Sequence, residues 1–306
     1  MCRILSCGMS TAPPVEETKV TRRQFLGKGL LAGAGVIALG SYSALIEPNN
    51  IVTRSFEIEL KRLPAAFDGF RIAQISDIHF GEFLGERHLL KVINLVNAAK
   101  PDMVAITGDF VTRPWGKPRY RPGALKAEPC AELLRSLQSQ FGTLAILGNH
   151  DHATNATIVA GALASSEIRV LRNHAVPLEK SGSRLWIAGV DDAVERAADL
   201  PGTMAQVPND EGCVLLVHEP DMADWVCKYP VDLQLSGHSH GGQVRIPFVG
   251  APVLPESGRK YPLGHYQIQN LQLYTNPGIG VITLPIRFDC PPEITVFTLR
   301  ARTSPG

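Results

Sequence analysis

The chain has 306 residues, 44 % hydrophobic and 19 % charged, an ordinary globular composition long enough for one large α/β domain or two small ones. Its 30 basic and 29 acidic residues leave a formal net charge of +1, so no global basic field is available to hold nucleic acid, and none is expected as a partner. Cys2, Cys7, Cys130, Cys213, Cys227 and Cys290 form no C-x-x-C pair, which argues against a zinc knuckle or a thioredoxin-type site; pairing among the last four stays open, because spacing does not fix connectivity.

Residues 1–50 read as an address. Arg22 and Arg23 precede Phe25 and Leu26, an apolar Gly/Ala-rich run extends from about Leu30 to Leu45, and Ser41 and Ser43 supply small residues before Ala44. This is the layout of an export signal, and its T-R-R-x-F-L core resembles a twin-arginine signal. The export machinery of that route is therefore an expected partner, and the periplasm or cell envelope the expected destination. A spanning helix wants ~20 apolar residues. The run is shorter, which favours a cleaved or loosely held segment over a permanent anchor in the cytoplasmic membrane.

From residue 51 the chain alternates strands and helices. "RSFEIEL" alternates as a first strand, and "FRIAQIS" (Phe70 to Ser76) is an apolar run of the kind a buried strand shows. "GERHLLKVINLVNAAK" has helical spacing through Leu89, Leu90, Ile93 and Val96, and Pro101 ends it. "DMVAITGD" is the next buried strand. "AELLRSLQSQF" (Ala131 to Phe141) reads as a helix and "GTLAILGNHD" as a third strand. "NATIVAGALASS" is a helix with Asn155 as its N-cap. "HAVPLE" and "RLWIAGV" pair antiparallel across "KSGS". "CVLLVHEP" and "VDLQLSGHSH" are two more buried strands around a short helix, "DMADWVCKY", and "EITVFTL" closes the chain. With no linker in the middle, residues 51–306 form one α/β domain with a mixed or second sheet.

Polar residues stand at the ends of these apolar strands, one set after another. They are Asp77 and His79, then Asp109, then Asn149, His150 and Asp151, then His218, and last His238 and His240. In open α/β sheets, ligands collect beyond the carboxyl ends of the strands. A lone Asp-x-His or Gly-Asp is an ordinary turn; five strand ends delivering Asp, Asn or His to one rim are a site. His88, His174 and His265 lie outside the pattern and read as structural or solvated, and His152 is adjacent to it. Imidazole, carboxylate and amide oxygen suit zinc, iron, manganese and similar divalent cations. One carboxylate can bridge two ions ~3.5–4 Å apart, and coordination lowers the pKa of a coordinated water enough to make it a nucleophile near neutral pH. Two divalent ions against two carboxylates and one hydroxide leave about one excess positive charge, which attracts a phosphate. Gly108, Gly148 and Gly237 beside the ligands leave room for close backbone approach.

D-x-H, G-D, G-N-H-D, a later His and G-H-x-H, in this order over about Phe70 to Gly242, resemble the signature of the calcineurin-like metallophosphoesterases. The tail "LPIRFDCPPEITVFTL", with Arg287 and Glu293, resembles a bacterial subfamily that carries twin-arginine signals or membrane segments. The resemblance implies two mixed β-sheets packed face to face with helices outside. It implies one divalent ion on Asp77, His79, Asp109 and His240, and another on Asp109, Asn149, His218 and His238. His150 would protonate the leaving oxygen or stabilise the phosphoryl group, and Asp151 would orient His150. Phosphodiester hydrolysis is the implied activity; some related enzymes cleave the pyrophosphate of UDP-2,3-diacylglucosamine in lipid A synthesis.

The loops Phe80 to Arg87 and Thr112 to Gly123 read as solvated or, more sharply, as a lip for a lipid headgroup built from Phe83, Leu84, Trp115, Tyr120, Arg113, Lys117, Arg119 and Arg121. Gly237 to Gly241 also matches G-x-S-x-G, which would make Ser239 a hydrolase nucleophile. That elbow needs a helix after the serine, and glycines and prolines follow instead. A non-catalytic metal- or phosphate-binding protein is the remaining alternative; the presence of His150, a non-ligand position, argues against it.

Overall fold

The computed structural model describes residues 21–302 apart from Trp115, Pro118 and Tyr120. The leader before Thr21, with Cys2 and Cys7, and the aromatic pair Trp115 and Tyr120 of the expected lip lie outside the described residues. The chain divides into two compact units between Ser41 and Tyr42.

The first unit carries α1 (Arg22–Ser41), whose Phe25, Leu26, Leu30, Leu31, Val36 and Ile37 are exposed. The stretch Phe25–Asn49 is long and apolar enough to cross a membrane by length and composition, and an export signal fits the same description. It is longer than the apolar run expected from the sequence, because the helix begins at the arginine pair.

The second unit begins with Tyr42–Asn49, which is fixed to the segment 287–290. Glu47 is buried and its Oε1 accepts a hydrogen bond from the Cys290 amide at 2.7 Å, while the Arg287 amide donates to the Ser43 carbonyl at 2.9 Å. The chain then runs through β1 (Val52–Leu60), β2 (Arg71–Ile75), α2 (Glu86–Ala98), β3 (Met103–Thr107), α3 (Ala127–Leu134), β4 (Thr143–Ile146), α4 (Asn149–Ser165) and β5 (Ile168–Val170). It continues through β6 (His174–Lys180), β7 (Ser183–Gly189), α5 (Leu200–Met204), β8 (Cys213–Leu216), α6 (Ala223–Val226), β9 (Leu233–Ser236), β10 (Gly264–Ile268), β11 (Leu271–Thr275) and β12 (Glu293–Ala301).

These strands make two mixed six-stranded sheets, ordered β1-β12-β2-β3-β4-β5 and β10-β11-β9-β8-β7-β6. Strands β2 to β5 run parallel, as do β7, β8, β9 and β11; β12 is antiparallel to β2, β6 to β7, and β10 to β11. The expected pair of mixed sheets with flanking helices is therefore the observed fold.

Strand alternation sorts the side chains into layers. Ile72, Met103, Ala105, Leu144 and Phe297 from one sheet meet Ile187, Val214, Leu216, Leu233, Leu235 and Tyr274 from the other in a dry inner layer. Ala73, Ile75, Val104 and Ile106 face the opposite way, against Leu89, Val92, Ile93 and Val96 of α2 and against Cys130, Ala131 and Leu134 of α3. Those α2 residues recur at the i, i+3, i+4, i+7 spacing that puts one helical face in the core. Ala188, Leu215, Leu271 and Leu273 pack on Met204 and Val226 outside the second sheet. Within the inner layer Gln74 is buried, and its Nε2 donates to Thr107 Oγ1 at 3.0 Å and to the Ser236 carbonyl at 2.9 Å, tying the sheets together next to their site-bearing ends. Cys130, Cys213, Cys227 and Cys290 are free thiols.

Two helices differ from expectation. α3 lies earlier than the run Ala131 to Phe141, because Pro129 falls in its first turn, where a missing N–H costs nothing. α4 starts at Asn149, inside the polar motif, and is broken at Asn155, whose φ of −176° and ψ of 97° are extended. There Asn155 Oδ1 accepts from the Ile158 amide at 3.2 Å, the expected N-cap, now capping the second half of a two-part helix.

Replacing Asn155 by Ala should lower stability in chemical denaturation by about 1 kcal/mol, while Asn155→Asp should retain most of it. Equal stability of Asn155→Ala and the parent would show that the cap contributes nothing.

Candidate metal centre

The polar strand-end residues converge on one place. Asp77, His79, Asp109, Asn149, His218, His238 and His240 are all buried. Ligand atoms of Asp77, His79 and His240 lie within 4.8 Å of one another, as do those of Asp77, Asp109 and His218. Five of these residues sit in the left-handed region, with φ of 51° at Asp77, 49° at His79, 57° at Asp109, 66° at His238 and 51° at His240. Each such non-glycine residue costs roughly 1–3 kcal/mol and persists only where its surroundings over-determine it.

Those surroundings are backbone lacing. The loops after β2 and β3 continue as a ladder, with Asp77 N–H to the Gly108 carbonyl and His79 N–H to the Asp109 carbonyl, each 3.0 Å. The Asp77 carboxylate accepts from the His238 amide at 3.0 and 3.1 Å. The glycine positions are steric requirements, as expected. A Cβ on Gly148 would run into Asp109 Oδ1 and, at 2.7 Å, the His218 ring; one on Gly108 would meet His218 Nδ1 at 2.6 Å; one on Gly237 would collide with Ser76 and Asp77.

Hydrogen bonds fix one proton on each of two histidines. A carbonyl oxygen can only accept, so His218 Nδ1, 2.7 Å from the Thr107 carbonyl, carries a proton, and so does His238 Nε2, 2.7 Å from the Glu256 carbonyl. The second nitrogen of each ring then points at another polar atom of the cluster. His218 Nε2 faces Asp109 Oδ2 at 3.3 Å and His238 Nδ1 faces Asn149 Oδ1 at 3.1 Å. His79 Nε2 lies 3.0 Å from His240 Nε2 and 3.6 Å from Asp109 Oδ2, and His240 Nε2 lies 3.3 Å from Asp77 Oδ1. Converging buried acceptors of this kind fit a cation.

The electrostatics agree. Burial pushes the Asp77 carboxyl up to about 7 and drives His79 down to about 3. Burial likewise lowers His238 and His240. Asp109 and His218 behave differently: burial opposes both charges, yet their mutual attraction holds the Asp109 carboxyl well below the usual range and His218 well above it. That attraction fits a proton on His218 Nε2, 3.3 Å from Asp109 Oδ2.

His150 also offers a ligand atom within 4.8 Å of those of His79 and Asp109, but its hydrogen bonding suits another part. Its Nδ1 accepts from the Arg113 amide at 2.9 Å, so the neutral ring carries its proton on Nε2. Burial lowers its pKa and favours that neutral form. Asp151 does not orient this ring, contrary to expectation. Its Oδ2 accepts from the Asp109 and Gly148 amides at 2.9 and 3.0 Å, and its Oδ1 from the Phe110 and Val111 amides at 2.9 and 3.2 Å. Its carboxylate clamps the two ligand-bearing loops together. His152, next in sequence, pairs with Asp191 at 2.6 Å instead of joining the centre. Ser239 is buried, its hydroxyl donating to the Pro262 carbonyl at 2.6 Å, and only the short turn His240–Gly242 follows it, so the nucleophile elbow is absent.

A second support has no polar strand-end signal. Arg287 is fully buried and donates to the carbonyls of Cys290 at 2.8 Å, Pro277 at 2.9 Å and Gly280 at 2.6 Å. This holds the loop 277–280 so close that a Cβ on Gly278 would meet Asp77 Cβ at 2.7 Å. The "NPGIG" run after β11 was the available hint. The cavity beside the ligands is about 480 Å³ and is lined by Asp109, Asn149, His150, His238 and His240, with Arg113 and Lys117 at its side. In the expected lip, Phe83 is exposed but Leu84 is buried in the core and belongs to packing.

Comparison with known proteins agrees with this arrangement. Residues 70–242 match the model of the family described as calcineurin-like phosphoesterase. The chain is 39 % identical over 290 residues to the uncharacterized metallophosphoesterase YkuE of Bacillus subtilis, covering 92 % of this chain and 99 % of that one. It is 29 % identical to phosphodiesterase YaeI of Escherichia coli, again over 92 % and 99 % of the two chains. It is 27 % identical to UDP-2,3-diacylglucosamine pyrophosphatase LpxG of Chlamydia muridarum, over 82 % of this chain and 90 % of that one. The matched segment spans every residue of the buried centre from Asp77 to His240, and on that ground the chain belongs to the calcineurin-like phosphoesterase family, a hydrolase of phosphoric esters.

Proposed function

We propose that the protein is a dinuclear metal-dependent phosphodiesterase or pyrophosphohydrolase of the cell envelope, acting on a phosphoester that can be lipid-linked. The observation that carries this is the pair of histidines, His218 and His238, each of which donates from one ring nitrogen to the Thr107 or Glu256 carbonyl and turns the other toward Asp109 or Asn149. Asp77, His79, Asp109 and His240 would hold one divalent ion, and Asp109, Asn149, His218 and His238 the other, with Asp109 shared. Such ions supply Lewis acidity and an ionised water near neutral pH.

The chain's own residues do the rest. His150, a neutral Nε2–H donor held by the Arg113 amide, is poised to donate to a phosphoryl or leaving oxygen. Arg113 and Lys117 line the side of the cavity where the substituents of the phosphate would lie. Asp151 and Arg287 keep the ligand loops in place. The names of YaeI and LpxG support a diester or pyrophosphate substrate, UDP-2,3-diacylglucosamine being one example. The apolar N-terminal helix behind an arginine pair supports export by the twin-arginine route or anchoring in the cytoplasmic membrane.

Metal binding should depend on pH with a definite sign. The Asp77 carboxyl, raised to about 7, and His218, raised by Asp109, hold protons that a cation must displace. Manganese affinity should therefore fall as pH drops below about 7, with proton release visible by calorimetry in buffers of different ionisation enthalpy. Proton release that does not grow from pH 9 to pH 6 would contradict this.

A substrate panel separates the chemistries: a nucleotide-sugar lipid, a glycerophosphodiester and a monoester, each with manganese and with chelator. Chelation and His240→Ala should abolish turnover, His150→Ala should lower kcat by about 10²–10⁴, and Ser239→Ala should keep the ligands and most of the activity. A chelator-resistant enzyme that loses all activity in Ser239→Ala would reinstate the serine nucleophile.

A further inference from the structure

The stretch 243–255, "QVRIPFVGAPVLP", carries a single charge, Arg245. It forms a narrow hairpin closed by two 2.9 Å backbone hydrogen bonds between Ile246 and Gly250. Phe248 at its tip is completely exposed, Val249 and Val253 are 73 % and 75 % exposed, and Ile246 and the neighbouring Leu284 are 45 % and 57 % exposed. Leu284 belongs with this hairpin, because Gln243 Nε2 donates to the Ile282 and Leu284 carbonyls at 3.1 and 3.4 Å. A single exposed leucine is ordinary; a contiguous apolar projection on a soluble surface marks a contact site.

The same edge of this unit receives the chain from the N-terminal apolar stretch. The Arg245 amide donates to the Phe288 carbonyl at 2.8 Å and the Phe288 amide to the Gln243 carbonyl at 2.9 Å. The Phe288 ring meets Tyr42 edge-on with centroids 6.5 Å apart, and the adjacent Arg287 amide holds Ser43. Leu45 and Ile46, which follow directly, are themselves exposed. A stretch apolar enough to cross a membrane thus leads by chain continuity into Tyr42, and Tyr42 is fastened to the base of the apolar hairpin. The patch also reaches the catalytic cavity, since Pro255, Ile282 and Thr283 line its mouth and adjoin Leu254 and Leu284 in the chain.

From these observations we infer that the 246–253 hairpin and Leu284 dip into a lipid bilayer and hold the mouth of the cavity at the headgroup level. The partner is the bilayer itself. Apolar side chains with few charges favour the interfacial region, and an aromatic at the tip is suited to it. A phosphoester whose acyl chains remain in the membrane then reaches the metal centre through its headgroup alone. That consequence rests on the proposed phosphoesterase activity; the docking surface does not.

The test uses the full chain in bilayer discs of phosphatidylethanolamine and phosphatidylglycerol. The emission added by Phe248→Trp, read as the difference from the parent, should be blue-shifted and quenched by lipids brominated on their chains. Added emission that stays water-like and is quenched by iodide overturns the inference. Emission shielded from both quenchers overturns it too, and points to a second copy of the chain on the patch. In parallel, Phe248→Asp with Val249→Asp should lower turnover of a vesicle-embedded phosphodiester by about tenfold or more, the scale of a charge placed in the interface, and leave bis(p-nitrophenyl) phosphate hydrolysis unchanged. Equal effects on both substrates contradict the inference. A parent enzyme that hydrolyses neither would sink the proposed activity alone, with the quenching still deciding the surface.

Discussion

The Asp109 carboxylate is the group on which the centre depends. Oδ2 faces Nε2 of His218 and of His79 at 3.3 and 3.6 Å, while Oδ1 accepts from the His150 amide at 2.9 Å. It is 2 % exposed, so water cannot solvate its charge. An isolated buried carboxylate is costly, and a buried acid normally shifts its pKa or finds a partner. Here the attraction between Asp109 and His218 keeps both charged when no metal is bound. A divalent ion bound there would displace the His218 proton and take its place beside the Asp109 carboxylate.

Holding Asp109 there requires strain, and the strain is distributed. Five of the clustered residues have positive φ; a backbone ladder joins Asp77, His79 and Asp109, and the Asp77 carboxylate takes the His238 amide. Asp151 adds to this locking, because its one buried carboxyl accepts from four amides of two loops. Arg287 does the reciprocal task with a buried cation and backbone carbonyls. Neither residue needs to touch a substrate for its loss to be felt at the site. Gly148 shows the same economy of space: its φ of −112° suits any residue, and only the Asp109 and His218 atoms beside it exclude a side chain.

Much of this was readable in the sequence, for a physical reason. Buried parallel strands are continuous apolar runs, so a polar residue directly after one is conspicuous, and Asp77, Asp109, Asn149, His218 and His238 all stand out that way. The two sheets were legible as alternating elements with late antiparallel pairs. What was not legible was mediated by backbone. The Arg113 amide on His150 and the Thr107 and Glu256 carbonyls have no side-chain signature. The pairing of β12 between β1 and β2 joins the two ends of the domain, a contact no local pattern encodes. The role given to Asp151 failed because adjacency to His150 suggested contact, whereas on a helical turn neighbouring side chains diverge.

Two divalent ions sharing Asp109, as proposed, would leave a direct signature. Metal content of the purified chain after manganese loading and exhaustive dialysis, measured by mass spectrometry alongside anomalous diffraction, tests the proposal most directly. Two anomalous peaks ~3.5–4 Å apart are expected, one on either side of the Asp109 carboxylate, with loss of both ions' tight retention in Asp109→Asn. A single ion, or two ions neither of which contacts Asp109, would contradict it.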